Sequence, residues 1–283
     1  MIEIRDLNKK YKDFELNISL SIPKGRISGL IGKNGAGKST TIKAILGLIR
    51  KDSGTVEVFG KDPRTLTPAE KQRIGVALAE SGFSGYLNVR IVCTILKNMY
   101  SRFDEALFLK RCDELRLPLD KQIREFSTGM KAKLRVLTAL SVNADLLILD
   151  EPTAGLDVEA RNEILDMLRM YMEQQPETSV LISSHISSDL ENLCDDLYLI
   201  DNGKLLLNED TDVVLDKYGV LKCDEETFKT LDQHYLLRTV KEKYGYRCLT
   251  NEKQFYQENC PGVVVERAGI DDLILMLTGG KKQ

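Results

Sequence analysis

Residues Gly32-Lys33-Asn34-Gly35-Ala36-Gly37-Lys38-Ser39 fit the pattern G-x-x-x-x-G-K-S/T. Glycines at those places let backbone N–H groups close around phosphate oxygens. The lysine reaches the outer phosphates, and the hydroxyl of Ser39 is suited to a bound Mg²⁺. The segment Leu146-Leu147-Ile148-Leu149-Asp150-Glu151 supplies the complementary half, an apolar strand that ends in two carboxylates. Asp150 at the strand end is placed to hold the metal shell. Glu151, one residue further out, is free to polarise an attacking water as general base. Together the two segments predict nucleoside triphosphate binding and hydrolysis, with Mg²⁺ as the metal.

Those side chains must be positioned by a particular set of elements. Ile27 to Ile31 reads as a strand leading into the glycine loop, and Thr40-Thr41-Ile42 and the residues after it carry a helical apolar pattern. Strand, loop and helix in that order aim a helix N-terminus at the anion, so Asn34, Gly35, Gly37, Lys38, Ser39 and Thr40 are the expected phosphate contacts. Leu146 to Leu149 and Val180 to Ile182 are continuous apolar runs, as expected of parallel strands covered on both faces. Ile18, Leu20 and Ile22 alternate, as in a half-buried antiparallel strand, and Asn202-Gly203 marks a hairpin. Thr55 to Phe59 and Ile74 to Leu78 read as further strands. Ile164, Leu165, Leu168 and Met172 recur at helical spacing. The predicted fold is α/β, a phosphate-loop NTPase core of mainly parallel sheet with an antiparallel β subdomain. Residues 82–142 read as an inserted helical subdomain within a nucleotide-binding unit over 1–208, followed by a small α+β extension over 209–283.

Composition limits the alternatives. The chain has 283 residues, 42% of them hydrophobic, and 40 basic side chains against 43 acidic ones give a net charge of −3. That balance argues against a bulk nucleic-acid binder. No apolar run is long enough to cross a bilayer, and the opening MIEIRDLNKK lacks the apolar core of a secretion signal. The six cysteines are scattered without a C-x-x-C pair, so reduced thiols in a cytosolic setting are expected rather than a disulfide frame or a zinc site.

With these motifs in place, residues 1 to 208 resemble the ATPase subunit of ABC transporters. Tyr11, 21 residues before Gly32, sits where that family has an aromatic stacking on adenine; packing is the other reading of such a residue. Phe126-Ser127-Thr128-Gly129-Met130 falls at the signature position, 23 residues separating Ser127 from Asp150. Ala154-Gly155-Leu156-Asp157 looks like the D-loop, and His185, 34 residues after Glu151, like the switch histidine that contacts the γ-phosphate. The resemblance implies that Ser127 and Gly129, before a helical pattern starting near Lys131, serve the nucleotide of a second subunit, a copy of this chain or a paralogue. It also implies a separate transmembrane permease as partner, no nucleic acid, and a place at the cytoplasmic face of the membrane.

The sequence departs from the family pattern at two places. Phe126, Thr128 and Met130 replace three of the five usual signature residues; Thr128 requires that its position tolerate negative φ, since only glycine adopts positive φ without strain. Glu80 stands where the family usually has a metal-contacting glutamine, and reads either as a metal ligand or as a solvated loop residue in a shifted register. Gly82 to Tyr100 reads as the surface receiving a coupling segment from the membrane subunit, or as subdomain packing. The extension reads either as an accessory dimerisation element or as a cap over the sheet edge. The family likeness points towards exporters of peptides, drugs or antimicrobial compounds, including the phenol-soluble-modulin type. The competing function is a nucleotide-gated regulatory or soluble ABC protein with weak hydrolysis.

Overall fold

The computed structural model describes residues 1–79 and 82–279. Alternation in the first 22 residues builds an antiparallel pair, β1 (Ile2–Lys10) and β2 (Glu15–Ile22). Side chains of β2 alternate strictly between solvent and core, the pattern of a sheet with one wet face. The apolar run Ile27–Ile31 is β3, and β4 (Ser53–Val58) pairs back onto β1. Five more strands follow: β5 (Ile74–Ala77), β6 (Leu146–Asp150), β7 (Ser179–Ser184), β8 (Asp196–Asp201) and β9 (Lys204–Asp210). They join one sheet in the order β4-β1-β2-β9-β8-β3-β7-β6-β5.

Strands β5, β6, β7, β3 and β8 run parallel. Strands β8 and β9 form an antiparallel hairpin turning through Asn202-Gly203, both at positive φ. The antiparallel arm is continuous with the parallel core, because Asn17 of β2 pairs with Lys204 of β9. Successive residues of the parallel strands point to opposite layers. Leu147, Leu149, Val180 and Ile182 enter one apolar core, while Leu146, Ile148 and Leu181 enter the other. Both faces are dry, which explains why these strands carry no polar alternation.

Between β5 and β6 lie the helices Val89–Met99, Glu105–Glu114 and Thr128–Leu140. Each starts at a residue whose side-chain oxygen accepts from an amide of the first turn: Asn88 from Ile91, Asp104 from Leu107 and Ser127 from Met130. The signature helix therefore begins at Thr128, three residues earlier than the sequence pattern near Lys131 suggests.

Beyond β9 the chain forms a short helix, Thr211–Lys217, and then β10 (Gly219–Cys223), β11 (Leu236–Glu242), β12 (Gly245–Thr250) and β13 (Val264–Arg267). These four pair antiparallel as a second sheet, β11-β12-β10-β13. The last helix, Ile270–Gly279, buries Ile270, Leu273 and Met276 in the same apolar core as Leu190, Leu193 and Leu197. Burial of side chains this size contributes about 2 kcal/mol each. The extension is thereby fastened to the nucleotide-binding unit.

Candidate active site

Strand β3 ends at Ile31 and the helix Lys38–Ile45 starts immediately after the glycine loop. Gly32 lies at φ +154°, and a Cβ there would sit 2.3 Å from the Ile200 carbonyl oxygen, so the loop leaves β3 pressed against β8. Gly37 is at φ +121°, and its missing Cβ makes room for Phe14 and Leu16. The hairpin supports the loop from below: the Gly203 amide donates to the Ala36 carbonyl at 2.9 Å, and the Asn17 amide donates to the Gly203 carbonyl at 2.7 Å. Asn34, Gly35 and Ser39 are exposed at the mouth of this cradle and Thr40 is half-buried.

Lys38 is 6% exposed. Its Nζ donates to the Gly32 carbonyl at 2.7 Å and pairs with Glu151 Oε1 at 3.2 Å. The other carboxylate oxygen of Glu151 lies 2.6 Å from His185 Nδ1 and also accepts from the His185 amide at 3.3 Å. Lys38, Glu151 and His185 thus form one continuous chain of contacts across the ends of the loop, β6 and β7. Glu151 sits at φ +49°, a conformation uncommon for a residue with a side chain. Its amide is held by both the carbonyl and the hydroxyl of Ser183. Strain at such a site is retained where the surrounding structure fixes it.

Asp150, at the end of β6, accepts from Ser39 Oγ at 3.4 Å and from Ser183 Oγ at 2.6 Å. Ser183 escaped the sequence analysis, since a serine in a strand carries no motif; its place at the end of β7 was the available signal. The donor set of a hydroxyl and a carboxylate is hard oxygen, which fits Mg²⁺, an ion that completes its shell with phosphate and water. Glu80, the third residue expected at the metal, lies outside the described residues.

Ser127 and Gly129 sit elsewhere, in an open groove of roughly 510 Å³ that they share with Gly155, Leu156 and Asp157. No residue of the phosphate loop lines it. Ser127 caps the signature helix, and Thr128 is already helical, so the negative φ that the sequence analysis required of this position is met. A Cβ on Gly129 would approach Ala160 Cβ to 3.2 Å, so the signature helix packs tightly on the helix Val158–Gln174. Tyr11 is half-exposed on the loop after β1, 6.4 Å from the ring of Phe14 that borders Gly37.

A short helix, Ser187–Glu191, follows His185 directly. Its Asp189 is 1% exposed, accepts from Thr153 Oγ1 at 2.6 Å and pairs closely with Arg161, whose other nitrogen reaches Ser188 Oγ. This knot joins the segment after Glu151 to the segment after His185. Neither Asp189 nor Thr153 was legible as functional from sequence.

A glycine cradle between strand and helix, a buried lysine on its floor and a carboxylate-ended neighbouring strand define a phosphate-loop nucleotide hydrolase. Comparison with known proteins narrows the class. The family model of the ABC transporter matches residues 16–154. A lantibiotic transport ATP-binding protein of Streptococcus pyogenes is 34% identical over 220 residues, covering 75% of this chain and 92% of that protein. The ABC transporter ATP-binding protein YtrB of Bacillus subtilis is 28% identical over the full length of both chains. Among solved structures, an ATP-binding subunit of an ABC transporter superposes with a TM-score of 0.66 at 28% identity, covering 75% of this chain and 91% of that one. A dimeric bacterial ABC transporter cassette gives a TM-score of 0.65 at 19% identity, a likeness of fold. The chain belongs to the ATP-binding proteins of ABC transporters and is an ATPase of that family.

Proposed function

We propose that this chain hydrolyses ATP as one half of a closing pair and so drives export of a peptide, drug or related compound through a separate membrane permease. The observation that carries the reading is the contact chain from Lys38 through Glu151 to His185. Glu151 pairs with the charge of Lys38. An incoming γ-phosphate competes for that lysine, which frees the Glu151 carboxylate to accept a proton from water while His185 holds its other oxygen. Ser39 and Asp150 would hold Mg²⁺, which supplies charge neutralisation between the outer phosphates. Tyr11 offers a ring to the base. Ser127 and the amide of Gly129, at a helix N-terminus, serve the triphosphate of the opposing subunit, a second copy or a paralogue.

Several features support the transport assignment. Relatives named for lantibiotic transport, Nod factor export and daunorubicin/doxorubicin resistance share about a third of their aligned residues with this chain. Among the described residues no helix is long and apolar enough to cross a membrane; in this proposal the pathway belongs to a partner permease, which would hold the chain at the membrane's cytoplasmic face. The segment from Gly82 to Tyr100 offers the docking surface. Phe83 and Ile123 floor a cleft of about 420 Å³ rimmed by Arg124, Lys131 and Arg135, and Tyr86 beside it is 72% exposed. An apolar floor with a basic rim fits a coupling segment carrying acidic side chains. The test is light scattering of the Glu151→Gln chain with and without ATP: nucleotide-dependent doubling of mass supports the reading, and a monomer at saturating ATP refutes it.

A further inference from the structure

The helix Ser187–Glu191 is held from two sides. On one side the Asp189 knot with Thr153 and Arg161 ties it to the residues after Glu151. On the other, Glu191 Oε1 accepts from the amide of Ile270 at 2.7 Å, where the last helix of the chain begins. A Cβ on Gly269 would lie 3.0 Å from that same oxygen, so a side chain there would push the carboxylate aside by a few tenths of an ångström. The terminal helix is anchored in turn to the second sheet. Its Asp272 accepts from the Gly269 amide at 3.0 Å and pairs closely with Arg247 of β12. Beneath these polar links, Leu190 and Leu193 share an apolar core with Ile270, Leu273 and Met276. A continuous path of contacts therefore runs from β12 through Asp272, the terminal helix and Glu191 to the residues that follow His185.

We propose that Glu191 is a positioning residue for ATP hydrolysis: by accepting from Ile270 it lets the C-terminal domain hold the segment behind His185, and so fixes the imidazole that grips Glu151. The proposal rests on the hydrolytic reading above, and it gives residues 219–279 a regulatory task within their own chain. A helix of five residues has little stability of its own. Its position is set by what clamps it, and the two clamps belong to different parts of the molecule. Anything that moves the second sheet, whether a ligand or a partner surface, would reach the γ-phosphate site by this path. The loop's own grip on phosphate draws on none of these groups, so the effect falls on turnover more than on nucleotide affinity.

The test uses the full chain with three substitutions. Glu191→Ala removes the acceptor, Glu191→Gln keeps an amide oxygen for the Ile270 amide, and Gly269→Ala displaces the carboxylate without deleting it. Steady-state phosphate release against ATP concentration yields kcat and KM, and NMR follows the ring protons of His185. His234→Gln assigns them, since the chain has only these two histidines. Glu191→Ala and Gly269→Ala are expected to lower kcat about 3- to 10-fold, a loss of about 1 kcal/mol in transition-state stabilisation. KM changes less than kcat, the His185 ring resonances move, and Glu191→Gln restores both kcat and the resonances. Should Glu191→Ala fail to fold, Gly269→Ala carries the same test. An unmoved imidazole in either variant, or a glutamine no better than alanine, overturns the link. A lowered melting temperature with unchanged kcat and unmoved resonances reduces Glu191 to a structural cap and overturns the proposal as well. A moved ring with unchanged kcat removes the role given to His185 in hydrolysis, and the positioning role falls with it. Continued hydrolysis by Lys38→Ala would refute the hydrolytic reading separately.

Discussion

Replacing Glu151 by glutamine tests two consequences of one contact. Lys38 Nζ and Glu151 Oε1 are 3.2 Å apart, with both side chains largely withdrawn from water. At an effective dielectric of about 20, unit charges at that separation attract by about 5 kcal/mol. Desolvation of the pair offsets most of this, leaving a net advantage of about 1–2 kcal/mol that an incoming triphosphate must overcome. Neutralising Glu151 removes the competitor, so ATP affinity should rise by about 5- to 30-fold, the equivalent of that energy. Turnover should fall by about 10²- to 10⁴-fold, the usual worth of a positioned general base. Isothermal titration with ATP in the presence of a chelator measures the first effect, and phosphate release the second. Turnover equal to the parent's would remove Glu151 from the base role. Weaker ATP binding in the variant would show that Glu151 helps hold the nucleotide instead of guarding the lysine.

Four further outcomes follow from the same geometry. Lys38→Ala should abolish measurable ATP binding by titration while the circular dichroism spectrum is retained, because Glu151 keeps its contact with His185. Ser127→Ala deletes the acceptor for the Met130 amide; the chain should lose about 1 kcal/mol in urea unfolding and form the ATP-dependent pair less tightly by light scattering. Asp189→Ala leaves buried Thr153 and partly exposed Arg161 without their acceptor and should cost about 2 kcal/mol in the same unfolding assay. Asp196 is buried, and burial raises its carboxyl above the usual carboxylate range despite the nearby Arg26. Its contribution to stability is therefore full at pH values below that range and is lost as pH rises through the raised value. Asp196→Asn should gain melting temperature over the parent progressively from acid to neutral pH, and a constant difference would refute the assignment.

What could be read from the sequence was whatever is local along the chain. Lys38 and Ser39 lie within one glycine motif, and Asp150 and Glu151 end one apolar run, so their neighbourhood could be anticipated without coordinates. His185 was found through its likeness to the family's switch histidine, supported by its place after a strand. Ser183 was not, because its bond to Asp150 joins two strands 33 positions apart and serine in a strand has no distinctive type. The Asp189 knot is hidden for the same reason. The start of the signature helix was misplaced because Thr128 and Gly129 are poor helix formers, whereas the Ser127 side chain settles the boundary. The pairing of Lys38 with Glu151 could not be foreseen, since the phosphate motif describes the lysine with its ligand and says nothing of its partner without one. The extension was read as α+β but the order of its strands was not, because β10 pairs with both β12 and β13 across long and unpatterned intervals.

The glycine at the tip of the β8–β9 hairpin bears on how the molecule can move. Its backbone lies so close to Glu15 that any side chain would collide with that carbonyl, while its amide bonds to the phosphate loop. The aromatic arm carrying Tyr11 and the floor beneath Lys38 are therefore riveted at one point. A nucleotide held as proposed, by Tyr11 and by the phosphate loop, would rest on parts that meet at this one point.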